Sequence, residues 1–207
     1  MAYHSDISEK QIKIDVRNIN NNFYTEITGQ VSIPINKQYV TLCNLQSANE
    51  FSEINQLVRT GLIKKSQFIG IDNNKELINE NKKLHPEATW IFGDYLEVIE
   101  NLYLQNKFNP AYIYLDSTSL AEHSVIVNMI ASTMFWSPQN TILFANMMCN
   151  NPRGKQKYCP KKTWDDICKN VPPGILHKWS PIIPNYEYST TNKTKMATLI
   201  LHKINDK

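Results

Sequence analysis

The sequence predicts an α/β three-layer sandwich, with a mostly parallel sheet of about seven strands that ends in an antiparallel hairpin. Three observations carry this. Between Ser66 and Ser117, three short apolar runs each end in an aspartate and are separated by two stretches of helical periodicity. A further apolar run, Thr141 to Ala145, follows a long helical pattern. The last third of the chain holds two apolar stretches joined by a polar connection. At 207 residues the chain fits one domain, 39–207, preceded by an extension, 1–38.

The central runs are Gln67 to Ile71 before Asp72, Thr89 to Gly93 before Asp94, and Tyr112 to Leu115 before Asp116. Each is β-branched or aromatic and lacks alternation, the pattern of a strand buried on both faces of a parallel sheet. Between them, Lys75–Leu84 and Tyr95–Gln105 place apolar residues at helical spacing. Right-handed crossovers then bring the three aspartates to the carboxyl edge, where open α/β sheets bind ligands. The aspartates recur at intervals of 22 residues. A carboxylate at a strand end can accept hydrogen bonds from a vicinal diol, and it can equally cap the following helix.

This segment resembles the middle of the class I S-adenosylmethionine-dependent methyltransferases. The resemblance covers Gln38 to the C-terminus and is most specific between Ser66 and Ser117. It implies that Asp72, with Asn73 beside it, holds the ribose, and that Asp94 and Tyr95 meet the adenine. Asp116 would lie nearest the chemistry, with Asn146 as a second candidate. The cofactor implied is S-adenosylmethionine.

The other elements follow in chain order. Ser8 and Gln11 are spaced as a capping box opening a short helix, Asn18–Asn22 reads as a loop, and Thr25–Ile35 as one extended or hairpin segment around Gly29. This extension would cover the cofactor, form part of the substrate site, or pack on the sheet as an ordered arm. Tyr39–Cys43 is the first strand and Glu50–Val58 its helix. The loop between, Asn44–Asn49, has no glycine, whereas the family has a glycine-rich turn there. Asn44 and Gln46 are its candidates for the methionine end of the cofactor. Without a glycine fingerprint or a P-loop, a dinucleotide or nucleotide-hydrolase site is disfavoured.

Leu120–Phe135 has helical spacing, and His123 in its first turn is a candidate base or a solvated capping residue. The segment Asp116-Ser117-Thr118-Ser119 lacks the Asn/Asp-Pro-Pro-Tyr signature of enzymes that methylate exocyclic base nitrogens. After the strand Thr141–Ala145 and Asn146, the stretch 153–162 is basic. Arg153, Lys155, Lys157, Lys161 and Lys162 occur there without an acidic residue, around Tyr158. Such a loop can hold phosphates while the tyrosine stacks on a base, making nucleic acid a candidate partner, or it is a solvated run. Thr163 is positioned to cap a helix to Asn170, with Asp165 and Asp166 in its first turn. Ile175–Ile183 and Met196–Ile204 read as the closing hairpin.

A net charge of +3 does not by itself demand a polyanionic partner. No apolar run reaches the ~18 residues of a membrane span, and the polar start lacks a signal-peptide core, which predicts a cytoplasmic protein. Cys149, Cys159, Cys168 and His177 match no zinc spacing, so the cysteines read as reduced structural thiols. Two functions remain. One is methyl transfer from S-adenosylmethionine to an unidentified acceptor. The other is a catalytically inactive domain of the same fold that binds or scaffolds, which the glycine-free loop favours.

Overall fold

The computed structural model describes residues 7–42, 52–117, 123–148, 159–182, 187–189 and 195–204. Helix α1 (Ile7–Thr28) leads into β1 (Gln38–Leu42), α2 (Glu53–Arg59), β2 (Phe68–Asp72), α3 (Lys75–Leu84), β3 (Thr89–Phe92) and α4 (Tyr95–Leu104). Then come β4 (Pro110–Ser117), α5 (His123–Trp136), β5 (Ile142–Met148), α6 (Pro160–Asn170), the single turn α7 (Pro173–Leu176), β6 (Trp179–Ile182), β7 (Glu187–Ser189) and β8 (Lys195–Lys203). The strands lie in the order β3-β2-β1-β4-β5-β8-β6, with β7 also paired to β8. The first five are mutually parallel, and β8 runs antiparallel to β5, β6 and β7. This is the expected sandwich with its antiparallel finish.

Two cores flank the sheet. Ile69, Ile71, Ile113, Leu115, Leu143 and Leu199 pack against α4, α5 and α6. Their alternates Tyr39, Phe68, Tyr112, Phe144 and Ile200 pack against Tyr24 of α1, Ile54 and Leu57 of α2, and Ile78 of α3. On this second face, rings from five neighbouring strands form a row from Trp90 through Phe68, Tyr39 and Tyr112 to Phe144, with centroids 4.4–5.7 Å apart.

The N-terminal region differs from its sequence-based expectation. A single 22-residue helix runs straight through Asn18–Asn22. Asparagine is a poor helix former in isolation, and tertiary contacts override that preference here. The Gln56 side chain donates to the Ile14 carbonyl (3.1 Å) and to Asn18 Oδ1 (2.8 Å), and the Tyr112 hydroxyl donates to Asn21 Oδ1 (3.4 Å). Gly29 does not centre an extended segment. It ends the helix at φ +67°, with its N–H on the Thr25 carbonyl (2.8 Å).

Three other boundaries shift. Helix α6 begins at Pro160, with Cys159 Sγ accepting from the Lys162 N–H (3.5 Å). A proline at the first helical position is preset for the helix, so Thr163 is buried within it rather than capping it, and Asp165 and Asp166 lie beyond the first turn. The stretch expected as one strand from Ile175 opens as α7, because Pro172 and Pro173 favour a helical turn. Part of the expected polar connection pairs with β8 as β7. Among the described residues, strand β3 is a sheet edge paired with β2 alone, so Thr89 and Phe92 are exposed rather than buried. Among the described residues, no helix is long and apolar enough to cross a membrane.

Candidate active site at the carboxyl edge

The carboxyl ends of β3, β2, β4 and β5 present Asp94, Asp72, Asp116 and Asn146 along one edge, with the end of β1 between the second and third. Asp72 ends β2 in register with Phe92 of β3. The Gly93 N–H donates to the Asp72 carbonyl (3.0 Å), which holds the start of the β3–α4 turn against the end of β2. Gly93 sits at φ +154°, and a Cβ there would meet Val98 Cγ2 at 2.9 Å, so this turn admits only glycine without rearrangement.

The aspartates differ in their local duties. Asp94 is the N-cap of α4, accepting from the N–H groups of Leu96 (2.9 Å) and Glu97 (3.5 Å). Asp72 is not a cap. Asn74 caps α3, and Asp72 Oδ1 accepts from the Asn74 N–H (2.7 Å). Burial raises the Asp72 carboxyl above its ordinary value, against the backbone N–H groups of Asn74 and Asn73. Beside it the Phe92 ring is 52% exposed. A flat apolar surface next to a carboxylate with acceptor capacity can take a nucleoside, the ring under the base and the carboxylate on the hydroxyls. Tyr95 faces inward instead: its ring is buried and its hydroxyl pairs with Thr133 Oγ1 (3.0 Å).

On the α1–α3 face a buried polar layer continues the edge inward. Thr41 pairs in register with Tyr114, and Asp116 with Asn146, which in turn pairs with Thr198. Asn146 is buried, with Nδ2 donating to the Tyr114 hydroxyl (2.5 Å) and Oδ1 accepting from Thr198 Oγ1 (2.6 Å). Behind this layer, Glu53 at the start of α2 is 1% exposed and accepts from the Tyr39 hydroxyl and from Thr41 Oγ1 (3.5 Å). Arg17 of α1, 4% exposed, places one guanidinium nitrogen 3.9 Å from Glu53 and donates to Gln56 Oε1 (3.4 Å).

Burial pushes Glu53 upward, only partly offset by Arg17 and the Tyr39 hydrogen bond. For Arg17, burial disfavours the charge, but Glu53, Tyr114, Tyr39 and Asp116 more than reverse this, leaving it above its ordinary value. Thus α1 is an ordered arm packed on the sheet, and it delivers a cation beneath the edge.

Of the other sequence candidates, Asn44, Gln46, Arg153, Lys155, Lys157 and Tyr158 lie outside the described residues. Lys161 and Lys162 are exposed in the first turn of α6. His123 bridges α5 and α6, with Nε2 3.2 Å from Thr163 Oγ1 and Nδ1 3.7 Å from Asp166. Cys159 and Cys168 are exposed free thiols. Arg17, Glu53, Tyr114, Thr198 and Phe92 were not singled out from sequence. Reading 14–27 as a helix would have flagged Arg17, a lone cation on the stripe Ile14, Arg17, Tyr24 and Ile27.

No family profile matches the sequence, and no curated protein matches it. Solved structures match over nearly the whole chain, and they show its fold, which is shared with methyltransferases. The plantazolicin methyltransferase BamL, in complex with a triazolic desmethylPZN analogue and S-adenosylhomocysteine, is 11% identical with a TM-score of 0.59, covering 98% of this chain and 92% of its own. An O-methyltransferase from Bacillus cereus in complex with S-adenosylhomocysteine is 10% identical with a TM-score of 0.55, covering 99% and 94%. The precorrin-6y C5,15-methyltransferase from Geobacter metallireducens GS-15 is 9% identical with a TM-score of 0.51, covering 92% and 87%. At such identities the likeness is one of fold. Two of these proteins carry different substrate names, plantazolicin and precorrin-6y, so the fold does not specify an acceptor.

Proposed function

We propose that this chain binds S-adenosylmethionine across the carboxyl ends of β1, β2 and β3 and transfers its methyl group to an acceptor near β4 and β5. The observation that carries the reading is the Asp72 site. It is a half-buried carboxylate that caps no helix, flanked by an exposed aromatic ring and tied to the glycine turn of β3. Asp72 and Asn73 would hold the ribose and the free oxygen of Asp94 the adenine edge, with Asn44 and Gln46 at the methionine end. The group supplied by the cofactor is an electrophilic methyl on a sulfonium. The residues of this chain orient donor and acceptor and exclude water. Asp116 stands where donor and acceptor would meet, and Asn146, held by Tyr114 and Thr198, fixes the wall behind it.

Titration calorimetry with S-adenosylhomocysteine tests this. Micromolar binding is expected, weakened at least tenfold in Asp72→Ala with an unchanged melting transition. Equal affinity in that variant removes the ribose assignment. For the acceptor, the basic run 153–162 supports nucleic acid. Neutralising Lys155, Lys157, Lys161 and Lys162 is then expected to abolish a salt-sensitive mobility shift with RNA or DNA, and absence of any shift at low salt refutes that acceptor. The glycine-free loop Asn44–Asn49 favours a second reading, a binding subunit without catalysis. That reading predicts no cofactor binding at millimolar ligand.

A further inference from the structure

We infer that Asp116 is a charge-selecting position, which makes the site prefer a ligand with a positive centre over its neutral counterpart. This deepens, and rests on, the donor reading given above.

The inference starts from hydrogen-bond and charge accounting. Asp116 Oδ1 is buried and has no hydrogen-bond partner among the described residues. Its register neighbour Asn146 is turned instead toward Tyr114 and Thr198, to which its amide nitrogen and oxygen bond. Among the described residues, Arg17 is a cation within electrostatic reach, and its guanidinium already faces Glu53 and Gln56. Glu53 also feels Asp116 as a like charge. Among the described residues this layer therefore sets two carboxylates against one guanidinium, and none of them donates to the Asp116 oxygen. Buried polar atoms are nearly always satisfied, so an unsatisfied carboxylate oxygen at a ligand edge points to a partner in the ligand.

S-adenosylmethionine supplies a cation there, its sulfonium. On transfer the acceptor lone pair forms the new bond to the methyl carbon, and the carbon–sulfur pair returns to sulfur. The product, S-adenosylhomocysteine, is a neutral thioether at that atom. A carboxylate beside the sulfur therefore favours donor over product, holding one and releasing the other.

Calorimetry with three probes tests this: S-adenosylmethionine, S-adenosylhomocysteine, and sinefungin, which carries an amine-bearing carbon in place of the methylsulfonium. The expected result is that both cationic probes bind about tenfold tighter than S-adenosylhomocysteine, the modest end of the range for a partly exposed charge pair. In Asp116→Asn the preference should fall below about threefold, with S-adenosylhomocysteine affinity little changed. Should that variant fail to fold, salt gives a second readout: in the wild type the donor-over-product ratio should shrink as ionic strength rises. Equal or tighter binding of S-adenosylhomocysteine, or a preference that survives Asp116→Asn or high salt, overturns the inference and leaves the cofactor reading standing. If none of the three binds, the cofactor reading falls, and this inference with it.

Discussion

The two faces of the sheet are built from alternate residues of the same strands, yet they do different work. The α4–α6 face is mostly aliphatic: Ile71, Ile113, Leu143 and Leu199 meet Ile99, Ile126 and Ile130. The α1–α3 face changes character along the strands. A row of aromatic rings gives way, toward the carboxyl edge, to Thr41, Tyr114, Asn146, Thr198, Glu53 and Arg17, all buried. An apolar face can be made by any close-packed hydrophobic set. A layer of buried polar and charged groups is costly unless each partner is in place. Its position directly behind the candidate site is the reason to read it as functional.

Substitutions can break or sharpen this contrast. The largest effect is expected from Glu53→Ala, which removes the carboxylate facing the buried Arg17 guanidinium. It should cost about 3–5 kcal/mol in urea unfolding and reduce ligand affinity as well. A folded, fully stable Glu53→Ala protein would mean that the polar layer is not cooperative. On the other face, Ile130→Ala should cost about 2–4 kcal/mol by opening a cavity while leaving ligand affinity unchanged. Smaller still, Asp94→Ala removes a helix cap and should cost about 1 kcal/mol. The least effect is expected at His123, where burial holds the imidazole below its ordinary value. A depressed histidine contributes stability above the ordinary value near 6.5, lost as pH falls through its folded value. His123→Gln should therefore flatten the decline of melting temperature below pH 6.5.

Sequence pattern revealed the sheet because its parallel strands are short, wholly apolar and separated by periodic helices. Lys75–Leu84 matches α3 at both ends. The Asp72, Asp94 and Asp116 edge was legible for the same reason, since each aspartate directly follows a recognisable strand. The polar layer was not legible. Tyr39, Thr41, Tyr114 and Thr198 look like ordinary strand residues, and only register brings them together. Helix α1 was obscured because its asparagines are poor helix formers whose burial against Gln56 and Tyr112 is a tertiary fact. The inward turn of Tyr95 follows from α4 beginning at that residue, which packs its ring against α5 and leaves the edge to Asp94.

The most direct test of the account is to map the amide chemical-shift changes of the labelled protein as S-adenosylhomocysteine is added. The account predicts changes concentrated at Asp72, Asn73, Gly93, Asp94 and Asp116, with the far ends of α4 and α5 near Leu104 and Phe135 undisturbed. Changes centred on those far ends, or none at millimolar ligand, would contradict it.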